Sequence, residues 1–403
     1  MKTKNYTKNT AIISTLVIIA VALGNAGSTL YLPGLVTISH DLNTNGALMK
    51  LTLSCYLISF GLSQLFYGPL SDAFGRRINL LTGLGIFFVG SLISMLSPNI
   101  WCLLAGRLIE GLGIGAANAV GYALMRDIYS GEKLTKQLSY VSVFVGMTPI
   151  IAPLFGGYLT QYMGWRSCFA ILAIIAVILV LAKFYLLPET NKSFTPDAHK
   201  PKVAIKNYRF LLSQGIFSQF VIVTAFGFAS LIVLNAMLPF VLQNKLDISP
   251  SIYGWLTMVT GGGYLCGSFI GGSLSAKYGI KKVIYTGIAI NIIALIIGYI
   301  ASLSFINVPV IIIPLALFLF GIGFIIPIGS SGAMSPFPEK AGSAAALLGG
   351  FMFCFASIFT AISSHIQEAS QKPIFVTLFI LSLVTLIFFL IIKPLKQGNK
   401  EHV

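Results

Sequence analysis

The sequence is dominated by long apolar runs, and these decide what kind of fold the chain can adopt. A helix needs roughly 18 or more apolar residues to cross a bilayer, and about twelve such runs occur in the 403 residues. Apolar residues make up 56% of the chain and charged residues only 9%, which leaves little chain for a soluble domain. The composition therefore predicts an all-α membrane protein with twelve transmembrane helices. These helices are centred near residues 22, 58, 87, 110, 147, 177, 225, 263, 292, 320, 354 and 382.

The net charge of +15 would suit a nucleic-acid partner, but the positions of the basic residues indicate a membrane topology instead. When successive loops are assigned to alternate sides, 20 lysines and arginines fall on the side of the N-terminus. The four on the opposite side are Lys50, Arg166, Lys245 and Lys372. This positive-inside bias predicts that both termini are cytoplasmic and that the chain has no nucleic-acid partner.

The segment Leu104–Gly115, which reads LAGRLIEGLGIG, carries two charges inside an apolar run. Arg107 and Glu110 are three residues apart, so their side chains project from the same face of a helix. Charges in hydrocarbon are costly and normally face a bundle interior or a water-filled cavity on an ion or substrate path. The alternative is a buried ion pair that only fixes helix packing.

The two halves of the sequence repeat each other. Leu32-Pro33 corresponds to Leu238-Pro239, and GPLSDAFGRR at 68–77 corresponds to GSLSAKYGIK at 272–281. Such a duplication of six helices is typical of transporters, which bind their solute between the halves. The polar, basic segment between them contains three prolines and is interpreted as a linker that ends in a short interfacial helix. The predicted units are residues 1–187, 188–210 and 211–403.

The fifth predicted helix contains the sequence GMTPIIAPLFGG. Its prolines, Pro149 and Pro153, each remove a helical donor, and Gly156 and Gly157 permit close approach of a neighbour. We expect a bent helix that seals the two halves against ion leak.

No constellation for an enzyme is found in the sequence. It contains no Ser/His/Asp set, no cluster of metal ligands and no phosphate-binding loop followed by lysine, and its five cysteines are scattered singly. The glycines of GLGIG follow no strand, so they indicate helix packing and not a dinucleotide site. We expect no catalysis, no cofactor and no metal.

The loop GPLSDAFGRR, the helix-4 motif RLIEGLGIG and the helix-5 motif PIIAPLFGG resemble the major facilitator superfamily over essentially the whole chain. The tripeptide YLP at 31–33 and the double proline of helix 5 are similar to the Bcr/CflA group of twelve-helix drug:proton antiporters. The resemblance implies the major facilitator fold in two six-helix halves and a place in the bacterial inner membrane. It also implies a monomer that exports drugs or other amphiphilic small molecules by alternating access, driven by protons.

Three positions depart from the family pattern. Ala73 stands where a basic residue is usual, Thr29-Leu30 stand where an acid often precedes YLP, and Glu110 replaces the usual Gln. We interpret this as transfer of the acidic residue from the first predicted helix to the fourth, as Glu110, where the carboxylate still faces the cavity. Glu110 would then carry the proton and Arg107 would orient it, with His365 and Glu368 as the next candidates.

Two further sets of residues are predicted to act in transport. The substrate cavity would be lined by Asn25, Thr29, Tyr31, Asn118 and Asn235. A cytoplasmic latch would be formed by Asp72, Arg76 and Asp127, with Asp72 attracted to the start of helix 11. Three alternatives stay open: a dedicated exporter of one metabolite such as a siderophore, a solute importer, and a membrane receptor or scaffold without transport.

Overall fold

The computed structural model describes residues 3–191, 201–366 and 370–392, and in these the chain is almost entirely helical. Two 3-10 turns, Leu32–Gly34 and Pro338–Lys340, interrupt the α-helices. The α-helices of the described residues are α1 (Thr3–Thr29), α2 (Leu35–Asp41), α3 (Gly46–Phe74), α4 (Arg76–Met95), α5 (Ile100–Ile128), α6 (Gly131–Met163), α7 (Arg166–Leu186), α8 (Pro201–Ser213), α9 (Gly215–Leu246), α10 (Pro250–Tyr278), α11 (Ile280–Ser304), α12 (Val308–Met334), α13 (Ala341–Ser363) and α14 (Lys372–Ile391).

Eleven helical segments of the described chain are long and apolar enough to cross a membrane. The first of them, Thr10–Asp41, contains the 3-10 turn, so this span is interrupted at Pro33. α10 has 29 residues, enough to cross a bilayer, but its many glycines and serines make it less apolar than the others. With α10 as the twelfth, the predicted all-α membrane architecture is confirmed.

The helices alternate between two faces of the molecule. We call the side where α1 begins and α14 ends the terminal face, and the other side the distal face. On the distal face, a side-chain cap from Asn or Ser begins four helices, α3, α5, α10 and α12. On the terminal face, the turns from α3 to α4 and from α10 to α11 need positive φ, which Gly75 (99°) and Gly279 (87°) supply.

The helices before α8 pack mainly on one another, as do those after it. In the first group α5 lies against α3 and α4, and in the second α12 lies against α10 and α11. The groups meet mainly through two pairs of helices, α3 with α13 and α6 with α10, and α9 adds smaller contacts with α2 and α3. Each group surrounds its own apolar core, although part of α9 joins the core of the first group.

The sequence duplication is also present in the packing. A Cβ atom on Gly83 of α4 would lie 2.7 Å from the carbonyl oxygen of Gly113 in α5. A Cβ atom on Gly287 of α11 would lie 2.8 Å from the carbonyl oxygen of Gly321 in α12. The same close crossing of two helices therefore occurs at matching positions of each half.

The interfacial helix predicted at the end of the linker is α8, an amphipathic helix that lies across the seam between the two groups. The Tyr208 hydroxyl donates to the carbonyl oxygen of Leu65 in α3, 3.1 Å away. Burial raises the pKa of that hydroxyl to about 12, so it remains a donor at physiological pH. The Lys340 ammonium, just before α13, lies 3.6 Å from the centre of the Phe210 ring.

Candidate functional site: a buried ion pair and the gates around it

Arg107 and Glu110 form an ion pair in the middle of the first helix group. Arg107 Nη1 donates to Glu110 Oε2, and neither side chain is exposed to solvent. The pair is held within one helix, α5, as the spacing of the two residues predicted. At ten residues from the start of α5, Glu110 lies about 15 Å below the distal end of that helix.

Three aromatic rings surround the Arg107 guanidinium. The centroids of Tyr56 in α3, Tyr31 at the end of α1 and Phe169 in α7 lie 4.1, 4.4 and 5.8 Å from its central carbon. Desolvated contacts of this kind contribute up to about 2 kcal/mol each. The tyrosine hydroxyls are anchored too: Tyr56 donates to the Gly24 carbonyl at 2.6 Å. Tyr31, which the sequence predicted to line the substrate cavity, is fully buried and encloses the Arg107 guanidinium.

The Glu110 carboxylate faces α4, which corrects the expectation that it faces the cavity between the halves. A Cβ atom on Gly90 of α4 would lie 2.9 Å from Glu110 Cγ. The Ser91 and Ser94 hydroxyls of α4 also face the carboxylate. Within the described chain, α4 packs on α3, α5 and α7, all in the first group. The helical repeat puts Glu110 on the same face as Arg107, but that face looks into the first group.

Several buried polar atoms around the pair lack a hydrogen-bond partner in the described chain. They are Glu110 Oε1, Arg107 Nε, Arg107 Nη2, Ser91 Oγ and Ser94 Oγ. Leaving a buried polar group unsatisfied costs about 1 to 3 kcal/mol, so such a concentration requires an explanation.

The second group shows what this helix crossing needs for packing alone. Because the GIG sequences at 113–115 and 321–323 correspond, Leu315 takes the place of Arg107 and Phe318 the place of Glu110. Both are fully buried. The crossing of α11 and α12, which also contains the buried Asn291, thus packs without charges at these two positions, which favours a functional role for the ion pair over a purely structural one.

The other predicted cavity residues lie at different depths. Asn25 and Thr29 are buried within α1, where the Thr29 hydroxyl donates to the Asn25 carbonyl at 3.0 Å. Asn118 donates to Gln64 Oε1 at 3.2 Å, and that oxygen would lie 2.7 Å from a Cβ on Gly349 of α13. Asn118 is therefore at the seam between the groups. Asn235 is half-buried on α9, next to residues that join the core of the first group.

The two groups are tied together near the distal face, and we call the four residues Lys50, Ser54, Ser357 and Gln243 the distal gate. Lys50 Nζ donates to the carbonyls of Ser363 and Ile366 at the end of α13, both at 3.0 Å. The Ser54 and Ser357 hydroxyls are 2.8 Å apart. The Gln243 side-chain amide of α9 donates to the carbonyl oxygen of Pro33, just before α2, at a distance of 2.8 Å.

Lys50, which the sequence placed on the distal side, lies there inside the first turns of α3 and is buried. The signal that would have placed it was the helix-capping Asn45, five residues earlier. A lysine near the carbonyl end of a helix interacts favourably with the helix dipole as well as with the carbonyls.

α6 completes the closure of the distal face. Pro149 and Pro153 both lie inside this helix. A Cβ atom on Gly157 would collide with the Pro250 carbonyl of α10, so this glycine allows the close approach to the other half. Gly156 is packed against the Leu30 carbonyl, within its own half.

The three predicted latch residues are brought together on the terminal face. Arg76 pairs with Asp72 at 2.6 Å and with Asp127 at 3.2 Å. The Glu189 carboxylate accepts from the Arg76 and Arg77 amides at 2.9 and 3.1 Å, which caps α4. The eleventh helix predicted from the sequence is α13. The expected contact of Asp72 with the start of α13 is not found among the contacts of the described residues.

Replacing Asp72 with Asn should reduce transport several-fold while leaving expression normal. Asparagine keeps the size of the side chain but removes its charge, and exposed ion pairs stabilise the fold by only about 0 to 1 kcal/mol. The measurement is transport per amount of protein in the membrane. Asp247→Asn, an exposed acid on the distal face, is the matched control. Equal transport by the two variants would contradict the latch.

The alternative proton site is only partly described. His365 is exposed near the distal face, and Glu368 lies outside the described residues.

The family model described as Major Facilitator Superfamily matches residues 17–361 and 220–403. The chain belongs to the Major Facilitator Superfamily. It is thus a multi-pass membrane transporter with a small-molecule substrate, and not an enzyme.

The relatives and solved structures agree with this membership. Multidrug resistance protein D of Escherichia coli is 26% identical over 93% of this chain and 94% of its own. A bicyclomycin resistance protein homolog of Haemophilus influenzae is 23% identical over 87% and 88% of the two chains. A crystal structure of a D-xylose-proton symporter superposes with a TM-score of 0.81 at 15% identity, over 98% of this chain and 99% of that one. The predicted fold and the resemblance to the Bcr/CflA group are confirmed.

Proposed function

We propose that this major facilitator exports drugs and other amphiphilic small molecules across the bacterial inner membrane in exchange for protons. The names of its relatives, which include multidrug and bicyclomycin resistance proteins, support the substrate class. The buried carboxylate of Glu110, in a helix whose counterpart has Phe318 at the matching position, is the single observation that supports proton coupling. Each proton that enters provides about 2.3 kcal/mol per 100 mV of membrane potential.

In this proposal the proton and the substrate bind at different places. The substrate enters the seam between the halves, where the polar pair Gln64 and Asn118 lies. The proton binds Glu110 inside the first half. Proton and substrate therefore do not compete for one site, which would be the simplest form of coupling. Instead, the binding of one affects the other through the side chains packed between the two sites.

A chain of aromatic rings supplies that packing connection. Tyr56, which covers the Arg107 guanidinium, has its ring centroid 5.8 Å from that of Phe60. Phe60 in turn lies 4.2 Å from Phe353 of α13, across the seam. Protonation of Glu110 removes the counter-charge of Arg107, and a change in the position of Tyr56 would pass directly to the contact between the halves.

The working cycle follows from the duplication. Residues 1–187 and 211–403 act as the two halves, joined by the linker at 188–210, and a single copy suffices for transport. Both termini, and so the terminal face, are cytoplasmic. With the distal gate closed, substrate from the cytoplasm has access to the seam, and export requires that gate to open.

The test is flux in proteoliposomes with and without a pH gradient, using ethidium, chloramphenicol and bicyclomycin. We expect gradient-driven flux for several of these compounds. Glu110→Gln keeps a hydrogen-bond acceptor for Arg107, whose guanidinium also stays between the Tyr31 and Tyr56 rings, so this variant should fold. It should lower that flux by roughly tenfold or more while substrate binding changes by less than about threefold, since it removes an interaction of the driven step alone. Glu132→Gln, an exposed acid at the start of α6, is the control.

Each result has a distinct meaning. Normal proton-driven flux in Glu110→Gln would show that the proton is carried elsewhere, with His365 next to examine. Flux of one compound alone would indicate a dedicated exporter. No flux of any compound would contradict the export proposal and favour a receptor or scaffold.

A further inference from the structure

A file of three buried serines leads from Glu110 toward the distal face. Ser91, Ser94 and Ser97 lie on α4 and in the turn after it, and all three are fully buried. The Ser91 and Ser94 hydroxyls face the Glu110 carboxylate and can act as its hydrogen-bond donors, although neither forms a hydrogen bond of good geometry in the described chain. We call these residues the serine file.

The serines lie directly on α5. A Cβ atom on Gly106, one turn before Glu110, would be 2.5 Å from Ser94 Oγ. The next hydroxyl outward, Ser97 Oγ, donates to the Ser94 carbonyl at 2.8 Å. Hydroxyl oxygens thus succeed one another along the crossing of α4 and α5, and buried unsatisfied groups of this kind are the usual partners of internal water.

The file reaches solvent through a charged pair. Arg166 Nη2 donates to the Ser97 carbonyl at 3.2 Å, and Arg166 Nη1 pairs with Asp41 at 2.7 Å. Both side chains of that pair are 46% exposed at the distal face. Polar groups therefore lie at intervals between bulk water and Glu110 through the first half.

The second half has no such file at the matching positions. With the offset of the corresponding turns at Gly75 and Gly279, Leu295 replaces Ser91 and Gly298 replaces Ser94. Gly298 is covered by the Phe375 ring. The serines therefore accompany the ion pair and are not a requirement of the helix crossing.

We propose that the serine file is the route by which protons pass between the distal surface and Glu110, separate from the path of the substrate. This inference rests on the proposed function, in which Glu110 carries the proton. The proton enters on a water molecule beside the Asp41–Arg166 pair. From there each hydroxyl oxygen or intervening water accepts one proton and releases another, so one O–H bond forms as one breaks, and the guanidinium and the backbone carbonyls carry no proton. The last transfer protonates Glu110 Oε1, the oxygen that does not bind Arg107.

The route has a consequence for access. Because the file lies inside the first half, Glu110 can exchange protons with the distal side while the distal gate between the halves is closed. Proton entry and substrate exit then need not use the same opening.

The test compares two substitutions of nearly equal shape at one position. Ser91→Val should lower proton-driven ethidium flux in proteoliposomes by roughly tenfold, whereas Ser91→Thr, which keeps the hydroxyl, should retain most of it. A packing defect would affect both variants alike. The double variant Ser91→Ala/Ser94→Ala should show the same loss, and Ser302→Ala, a buried serine near the end of α11, should not.

A second readout separates the route from the rest of transport. Exchange of labelled for unlabelled ethidium without any gradient should change by less than about twofold in these variants, because the substrate path is untouched. Normal proton-driven flux in Ser91→Val and in the double alanine variant would overturn the route. If Glu110→Gln also keeps its coupled flux in the same assay, Glu110 does not carry the proton and that part of the proposed function fails; if only the serine variants keep it, the route alone is wrong.

Discussion

Oxidation of the variant Ser54→Cys/Ser357→Cys should abolish transport, and reduction should restore it. The two hydroxyl oxygens are 2.8 Å apart, and each also donates to the backbone carbonyl of the other residue, at 2.8 and 2.9 Å. A disulfide requires Cβ atoms about 3.5 to 4.5 Å apart, which this spacing of side chains permits. The bond would hold α3 to α13 and prevent the distal gate from opening. We expect a loss of at least roughly tenfold in flux, the expected result when one of two alternating states is removed.

Native cysteines beside this pair make the controls important. Cys55 and Cys354 are free and partly buried. Each single variant, treated with the same oxidant, should transport normally. Formation of the bond is verified by mass spectrometry of the proteolysed protein. Full transport by a verified cross-linked sample would show that this face does not open during export, and the alternating cycle proposed here would be wrong.

The second large effect is expected on removing Arg107 alone. Arg107→Leu leaves Glu110 as a buried charge without a partner, and breaking a buried pair in this way costs about 3 to 5 kcal/mol. The lost contacts with Tyr31 and Tyr56 add to the cost. We therefore expect little folded protein in the membrane, measured as the monodisperse fraction after extraction in mild detergent.

A double variant distinguishes folding from function. Arg107→Leu/Glu110→Leu makes the crossing apolar, as it already is at Leu315 and Phe318 in the second half. Because no unpaired charge remains, this variant should fold better than Arg107→Leu, yet it should lack proton-driven flux. Wild-type coupled flux in the double variant would show that the pair is only structural.

Much of the fold could be predicted from the sequence, because apolar run length and charge asymmetry act directly on each helix. The pairing of Arg107 with Glu110 was equally accessible, since it depends on spacing within one helix. The direction in which that face points could not be predicted, because tertiary packing decides which neighbouring helix contacts each side of α5. Gly90, which lets α4 approach Glu110 closely, carries no signal of its own in a sequence with 40 glycines.

The distal gate was missed for a related reason. Lys50 and Gln243 bind backbone carbonyls of the opposite half. Every residue type has a backbone carbonyl, so the sequence does not show which of them will accept a hydrogen bond. The latch was easier to predict from the sequence, because Asp72 and Arg76 are one helical turn apart and because Asp127 lies at the end of a helix that must reach the same face.

The linker helix α8 is attached to both halves of the molecule. It is fixed to the first half where Tyr208 binds the Leu65 carbonyl, and to the second where Phe210 lies under Lys340. A rocking motion that widens the seam on this face must stretch or release one of these attachments, whereas a motion that narrows it need not. We therefore expect α8 to influence the balance between the two conformations. Substitutions in this surface segment should then change the speed of the cycle without touching the residues proposed to bind proton or substrate.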